Sequence, residues 1–173
     1  MKKIGIIGPN KSMCSKELYD FGVELGKRLS SLDRVFVCGG LGGFMEAVCC
    51  GAKQSDKTFS GQTIGILPDA VTDNANVYID IPIATGQGIA RNIIIVNTAD
   101  IIIAAGGGAG TLSEIAFAWQ QKKTVLCVTL FNGWAKDLAG KNLDSRANGL
   151  LIPVNSIDEI LNHLDNDQTK MMK

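Results

Sequence analysis

The sequence predicts an α/β protein with a doubly wound parallel sheet, on three observations. Short runs apolar on both faces, such as "KIGIIG" (3–8) and "DIIIAAG" (100–106), alternate with stretches of helical period. Strands of that kind belong in a parallel sheet covered by helices on each side. Glycine clusters end two of the strands, at "CGGLGGFMEA" (38–47) and "GGGAGTLSE" (106–114), and each opens a helix. A chain of 173 residues suits one domain with a sizeable core.

The elements follow in order. After the first strand, "SKELYDFGVELGKRLSSL" (15–32) is an amphipathic helix with Leu18, Phe21, Leu25 and Leu29 on one side. "RVFVCGG" is a second strand and "GFMEAVCCGAKQS" a helix. "QTIGILP" is a third strand stopped by Pro68, and "NVYIDIP" (76–82) a shorter one. "GQGIARNIIIVNTA" (86–99) reads as one helix, then "DIIIAAG" as a central strand and "TLSEIAFAWQQ" as a helix. "KTVLCVT" and "NGLLIPV" are the last strands, and "SIDEILNHLD" is a closing helix with Ser156 as its N-cap. The segment 130–148 is long and irregular, either a lid or a loop carrying one short helix. Residues 1–165 form the single expected domain, and 166–173 a flexible C-terminal tail. Ligands of such sheets lie at the carboxyl ends of the strands, where both glycine loops fall.

Composition narrows the function. Lysine plus arginine and aspartate plus glutamate each total 17, so no basic surplus invites a polyanion. With six Phe, two Tyr and two Trp to stack on bases, no nucleic-acid partner is expected. No run reaches the roughly 18 apolar residues that span a bilayer, so no membrane partner is expected. Pro9 ends the first apolar run too early for a signal peptide. The five cysteines form no CxxC pair, and their odd count points to reduced thiols in a cytoplasmic protein. The vicinal pair Cys49–Cys50 is the one redox feature. The single histidine, His163, sits among surface residues of the last helix, so no His-based triad and no metal site is expected.

The common nucleotide motifs are absent. The first turn, "GPNKSMCSK", is not GxGxxG, and Asp33 precedes the second strand where a ribose-binding acid would follow it. Lys11-Ser12 lacks the glycine and spacing of a Walker loop. The two glycine loops remain. Amides at a helix start carry partial positive charge and bind anions, and glycine lets the main chain approach closely. Two such loops at neighbouring strand ends point to a phosphate-bearing ligand. The expected contacts are Gly8, Lys11, Gly39, Gly40, Gly42, Gly43, Met45 and Glu46 from the first half. Gly107, Gly108, Ala109, Gly110 and Thr111 join them from the second.

Charge is scarce between Ile81 and Gln121, where Arg91, Asp100 and Glu114 are the only charged residues. A buried arginine needs an anionic partner. For Arg91 that partner is Glu114, Asp100 or a ligand phosphate. Glu114 has two readings as well. Thr111-Leu-Ser-Glu114 fits a capping box, with Thr111 as N-cap and Glu114 reaching back to an amide; the alternative is a catalytic carboxylate.

At these residues the chain resembles the Lonely guy (LOG) superfamily, once widely labelled "possible lysine decarboxylase", over residues 2 to 165. The PGGxGTxxE motif of that family is similar to Gly106–Glu114, with glycine in place of its proline. Its GGxxGLM-type loop appears in altered form at Gly39–Glu46, and its MHxRK stretch at Gly88–Asn92, keeping the arginine alone. Where LOG enzymes have two glutamates, this chain has Ser113-Glu114. The molybdenum-cofactor carrier branch looks closer, through "TIGILP", "DIPIATGQGIARN" and "GGGAGT". The resemblance implies a modified Rossmann (LOG-like) fold and a homodimer or homotetramer. It also implies, as ligand, a molybdenum cofactor or a nucleoside monophosphate. If the protein were a LOG-type phosphoribohydrolase, freeing base and ribose 5-phosphate, Arg91 and Glu114 would be its catalytic residues. The altered MHxRK stretch and the missing second acid favour a binding or carrier protein without turnover. Lysine decarboxylation uses a cofactor bound through a lysine, and no lysine except Lys11 lies near a glycine loop, so that activity is not expected.

The apolar helix containing Ile89, Ile93, Ile94, Ile95 and Val96 suggests an assembly, because one face packs on the sheet and the others would be left exposed.

Overall fold

A computed structural model of the protein describes residues 1–146 and 149–171. Seven strands form one sheet: β1 (Lys2–Ile7), β2 (Arg34–Cys38), β3 (Thr63–Leu67), β4 (Ile81–Ala84), β5 (Ile101–Ala105), β6 (Thr124–Val128) and β7 (Leu150–Val154). The order is β4-β3-β2-β1-β5-β6-β7, and every neighbouring pair is parallel. Among the described residues, five α-helices connect them, α1 (Lys16–Leu29), α2 (Phe44–Lys53), α3 (Asn92–Thr98), α4 (Ala109–Gln120) and α5 (Trp134–Leu138), and α6 (Ile157–Met171) follows β7. The predicted doubly wound fold is the one observed.

Alternate residues of the central strands feed two cores. Ile4, Ile6, Ile101 and Ile103 pack with Leu25, Phe36 and Phe44 under α1, α2 and α6. Ile7, Ile102 and Ala104 pack with Ile95, Ile115 and Trp119 under α3 and α4. Burial on both faces is why these strands read as continuous apolar runs.

Two helical glycines set the spacing of α1 and α2. A Cβ on Gly26 would lie 1.9 Å from the Val48 carbonyl oxygen, and one on Gly51 1.9 Å from that of Val23. The two backbones touch, which a side chain would forbid.

Two expectations need correction. The fourth strand is Ile81–Ala84 rather than 76–82. Asn76 instead braces the first glycine loop, its Nδ2 donating to the carbonyls of Gly40 and Leu41 at 3.2 and 3.0 Å. The helix expected over 86–99 is shorter. Gly86 and Gly88 take positive φ, their amides bond to Asp69 and Pro68, and a 3-10 turn (Gly88–Arg91) precedes α3. The irregular segment after β6 carries one short helix, α5; residues 147 and 148 lie outside those described. The tail expected from residue 166 begins as a continuation of α6 to Met171, and its last two residues lie outside those described. Among the described residues, no helix is long and apolar enough to cross a membrane.

The backbone contact between α1 and α2 makes a sharp stability prediction. Gly26→Ala and Gly51→Ala should each lower unfolding free energy by about 2–3 kcal/mol, the cost of overpacking a rigid contact. Urea denaturation midpoints check it, and unchanged midpoints would mean the helices can separate without cost.

Candidate functional site

Both glycine loops lie at the carboxyl edge of the sheet, after β2 and after β5. The second has the sharper geometry. Gly106 and Gly107 have φ of +56° and +91°, and a Cβ on Gly107 would stand 2.3 Å from the Thr111 Oγ1. This turn aims the N-terminus of α4 at solvent. Gly108 is the N-cap, in extended conformation and without a side-chain hydrogen bond. The first intrahelical bond runs from the Leu112 amide to the Gly108 carbonyl at 3.0 Å, so the amides of 109–111 precede it.

A cavity of about 280 Å³ opens there. Gly108, Ala109, Gly110, Thr111 and Glu114 of the α4 end line it, with Arg91 and Asn92 beside them. Gly8, Pro9 and Asn10 come from the β1 end, and Leu41 and Met45 from the first glycine loop and α2. The remaining wall is Met13, Pro68, Gly88 and Ile89.

Arg91 is 8% exposed and Glu114 6%. Arg91 Nη1 donates to the Asn92 Oδ1 at 2.6 Å and stands 3.7 Å from Glu114 Oε1, an ion-pair distance beyond hydrogen bonding. Arg91 Nε is buried with no hydrogen-bond partner among the described residues. The guanidinium lies along Gly39, where a Cβ would be 2.5 Å from Nη2. Asn92 completes the frame, its Nδ2 donating to Ser113 Oγ at 2.9 Å and to the Gly110 carbonyl at 3.4 Å. Asp100 is not the partner of Arg91; it pairs with Lys3 at 2.9 Å.

Burial pushes the Glu114 carboxyl up to about 8, and the attraction of Arg91 opposes this only in part. Burial also lowers Arg91, which Glu114 and Cys38 counteract. Burial thus favours the neutral form of the Glu114 carboxyl, and the Arg91 guanidinium is the cationic side chain that lines the cavity beside it.

The expected capping box at Thr111 is absent. Helix α4 begins earlier, so Thr111 lies buried inside the first turn and Glu114 in the second. A capping glutamate does occur, in α2: the Gly43 amide donates to Glu46 Oε2 at 3.3 Å. Glu46, an expected contact, thus secures a helix end and does not line this cavity.

Of the other expected contacts, Gly40 and Gly43 take positive φ and shape the turn, and Gly107 does the same in the second loop. Gly42 faces Lys11, whose Cβ is 3.2 Å from where a Gly42 Cβ would stand. Neither Lys11 nor Gly42 lines the cavity. Met13, Leu41, Pro68 and Asn92 do, and none of the four is among the expected contacts, although Leu41, Pro68 and Asn92 fall inside the stretches that carry the family resemblance. Cys49 interacts with Cys38 across the β2–α2 contact; all five cysteines are free thiols.

Residues 1–161 match the SLOG cluster4 family, and the chain belongs to it. A protein of Archaeoglobus fulgidus is 42% identical over 125 residues, 72% of this chain and 78% of that protein. The molybdenum cofactor binding protein of the phototrophic bacterium Rippkaea orientalis superposes with a TM-score of 0.80 at 31% identity, covering 95% of this chain and 96% of its own. The molybdenum cofactor carrier protein of Chlamydomonas reinhardtii superposes with a TM-score of 0.79 at 29% identity, covering 96% and 98%. The LOG-like Rossmann fold is shared throughout.

The raised carboxyl of Glu114 has a pH signature. Below the ordinary value of 4.5 the folded and unfolded chains are both protonated there. Between 4.5 and about 8 only the folded chain keeps the proton, so stability declines as pH rises through this window and levels off above it. Glu114→Gln should remove that part of the slope. Urea unfolding of parent and variant at pH 5.5 and pH 8.5 checks it; parallel behaviour would place the Glu114 carboxyl near its ordinary value.

Proposed function

We propose that this protein binds and carries a phosphate-bearing small molecule at the N-terminus of α4. The observation that carries the reading is the buried Arg91, whose Nε has no hydrogen-bond partner among the described residues, beside a glycine-built helix start. The amides of 109–111 and the Arg91 guanidinium would hold the anionic group, and the protonated Glu114 would donate rather than repel. The ligand we favour is the molybdenum cofactor, which the Rippkaea and Chlamydomonas neighbours are named for binding or carrying. The donor set fits the anionic end of such a molecule. When bound, the cofactor would bring redox chemistry of its own; this chain's residues would grip and shield it.

A second reading, hydrolysis of nucleoside 5′-monophosphates, is supported by Glu114 itself. A carboxyl raised to about 8 can hand over a proton near neutrality. The two readings separate by experiment. Arg91→Ala should weaken phosphate and AMP binding by tenfold or more, as loss of a charged hydrogen bond does, and Glu114→Gln by much less. The parent should release no free adenine from AMP. Calorimetry and chromatography of the reaction mixture check both. Adenine release lost in Glu114→Gln would establish the hydrolase, and an Arg91→Ala protein that binds as the parent does would end the anion reading.

We further propose self-association through the β4 edge. Ile81 and Ile83 are 44% and 42% exposed, Ile89 is 88% exposed, and no exposed charged side chain interrupts residues 81–98. The apolar excess expected on α3 thus lies beside it: Ile95 and Val96 are buried, and the exposed surface is the strand edge and the turn. Light scattering should give a mass at least twice 18.4 kDa, and Ile83→Lys should reduce it to the monomer. A monomeric parent at micromolar concentration would refute the assembly.

A further inference from the structure

At about 280 Å³, the cavity at α4 lies below the roughly 300–1,000 Å³ of pockets that enclose a ligand of ordinary size. A second cavity, about 440 Å³, opens beside it between the start of α1 and the connection from β6 to α5. Leu18, Leu130 and Phe131 give it apolar walls, and Glu17 and Asn132 add polar groups. Phe131 is held edge-on by Phe21, ring centres 5.3 Å apart at 62°. No lysine or arginine lines this cavity, so it suits no second anion.

Met13 lines both cavities. Its Cε and Sδ lie 3.3 and 3.5 Å from where a Gly108 Cβ would stand, directly over the helix start. The side chain is 65% exposed and sits in a three-residue turn, so it can swing aside. The walls around it are fixed. The amides of Trp134 and Ala135 donate to the carbonyls of Gly107 and Gly106 at 3.1 and 3.0 Å, tying the β6–α5 connection to the second glycine loop.

We infer that the second cavity is a subsite for a planar heteroaromatic ring of the ligand whose anionic group lies at α4, with Met13 as the divider the ligand spans. The inference rests on the anion site proposed above. An aromatic edge and aliphatic walls suit the faces of such a ring, while Glu17 and Asn132 suit N–H groups on its rim. The two cavities together fall inside the usual range of ligand pockets.

The test uses Leu130→Asp. Leu130 is 51% exposed and belongs to neither core, so the variant folds. Inorganic phosphate and AMP are titrated into parent and variant, following backbone amides by NMR. AMP should bind at least tenfold more weakly to Leu130→Asp, with phosphate affinity unchanged within twofold. AMP binding equally well to both proteins overturns the ring subsite and leaves the anion site standing. If the parent binds AMP but not phosphate, the anion reading fails, and the ligand spanning Met13 falls with it. Binding of neither overturns both.

Discussion

The site depends on a reversal of strand order between β1 and β5. From β1 the strands run outward through β2 and β3 to β4, and from β5 they run the other way through β6 to β7. The helices that follow β1 and β5 therefore cover opposite faces of the sheet, and their first turns diverge. A crevice at that point follows from topology alone. Residues 8–10 form one bank and 106–111 the other, and the carbonyl of Pro9 also receives the Phe44 amide at 3.1 Å. Helix α2 is thereby fixed to the same edge, which brings Met45 to the cavity.

Within that crevice, electrostatics follow from the lack of charge around it. Arg91 and Glu114 face one another where β5, α3 and α4 supply no other charged side chain. Burial there raises the Glu114 carboxyl, and the attraction of Arg91 at 3.7 Å opposes this in part. An ion pair with both partners charged would cancel the field that an anion needs, and protonation of the acid preserves it.

Much of this was legible in the sequence. Apolar periodicity marked the central strands, glycine clusters marked both loops, and charge scarcity singled out Arg91 and Glu114. Other features were not legible, for physical reasons. The Thr111-x-x-Glu114 spacing imitates a capping box, but Gly108 adopts the extended N-cap conformation and moves the helix start three residues earlier. Tyr78 and Ile79 look like strand residues because they are apolar, yet they pack against the α1–α2 core while Asn76 braces a loop. Pro68, Met13 and Leu41 reach the cavity only through tertiary placement, from connections whose residues carry no periodic pattern.

Two departures from the resembling LOG pattern turn out to be one. The lysine of MHxRK is Asn92 here, and the first of the two glutamates is Ser113. Their side chains meet, Asn92 Nδ2 donating to Ser113 Oγ at 2.9 Å, and Ser113 Oγ donates on to the Gly110 carbonyl at 2.7 Å. A neutral amide and hydroxyl thus stand where the related motif has a cation and an acid, and they still hold α3 to the start of α4. Asn92 in turn fixes the Arg91 guanidinium. Glycoside hydrolysis ordinarily divides its work between two carboxyl groups, one giving a proton and one activating water or attacking the sugar. Glu114 is the one carboxyl group among the residues lining this cavity, and burial favours its protonated form. That chemistry suits retention of an anion more than cleavage of a glycosidic bond.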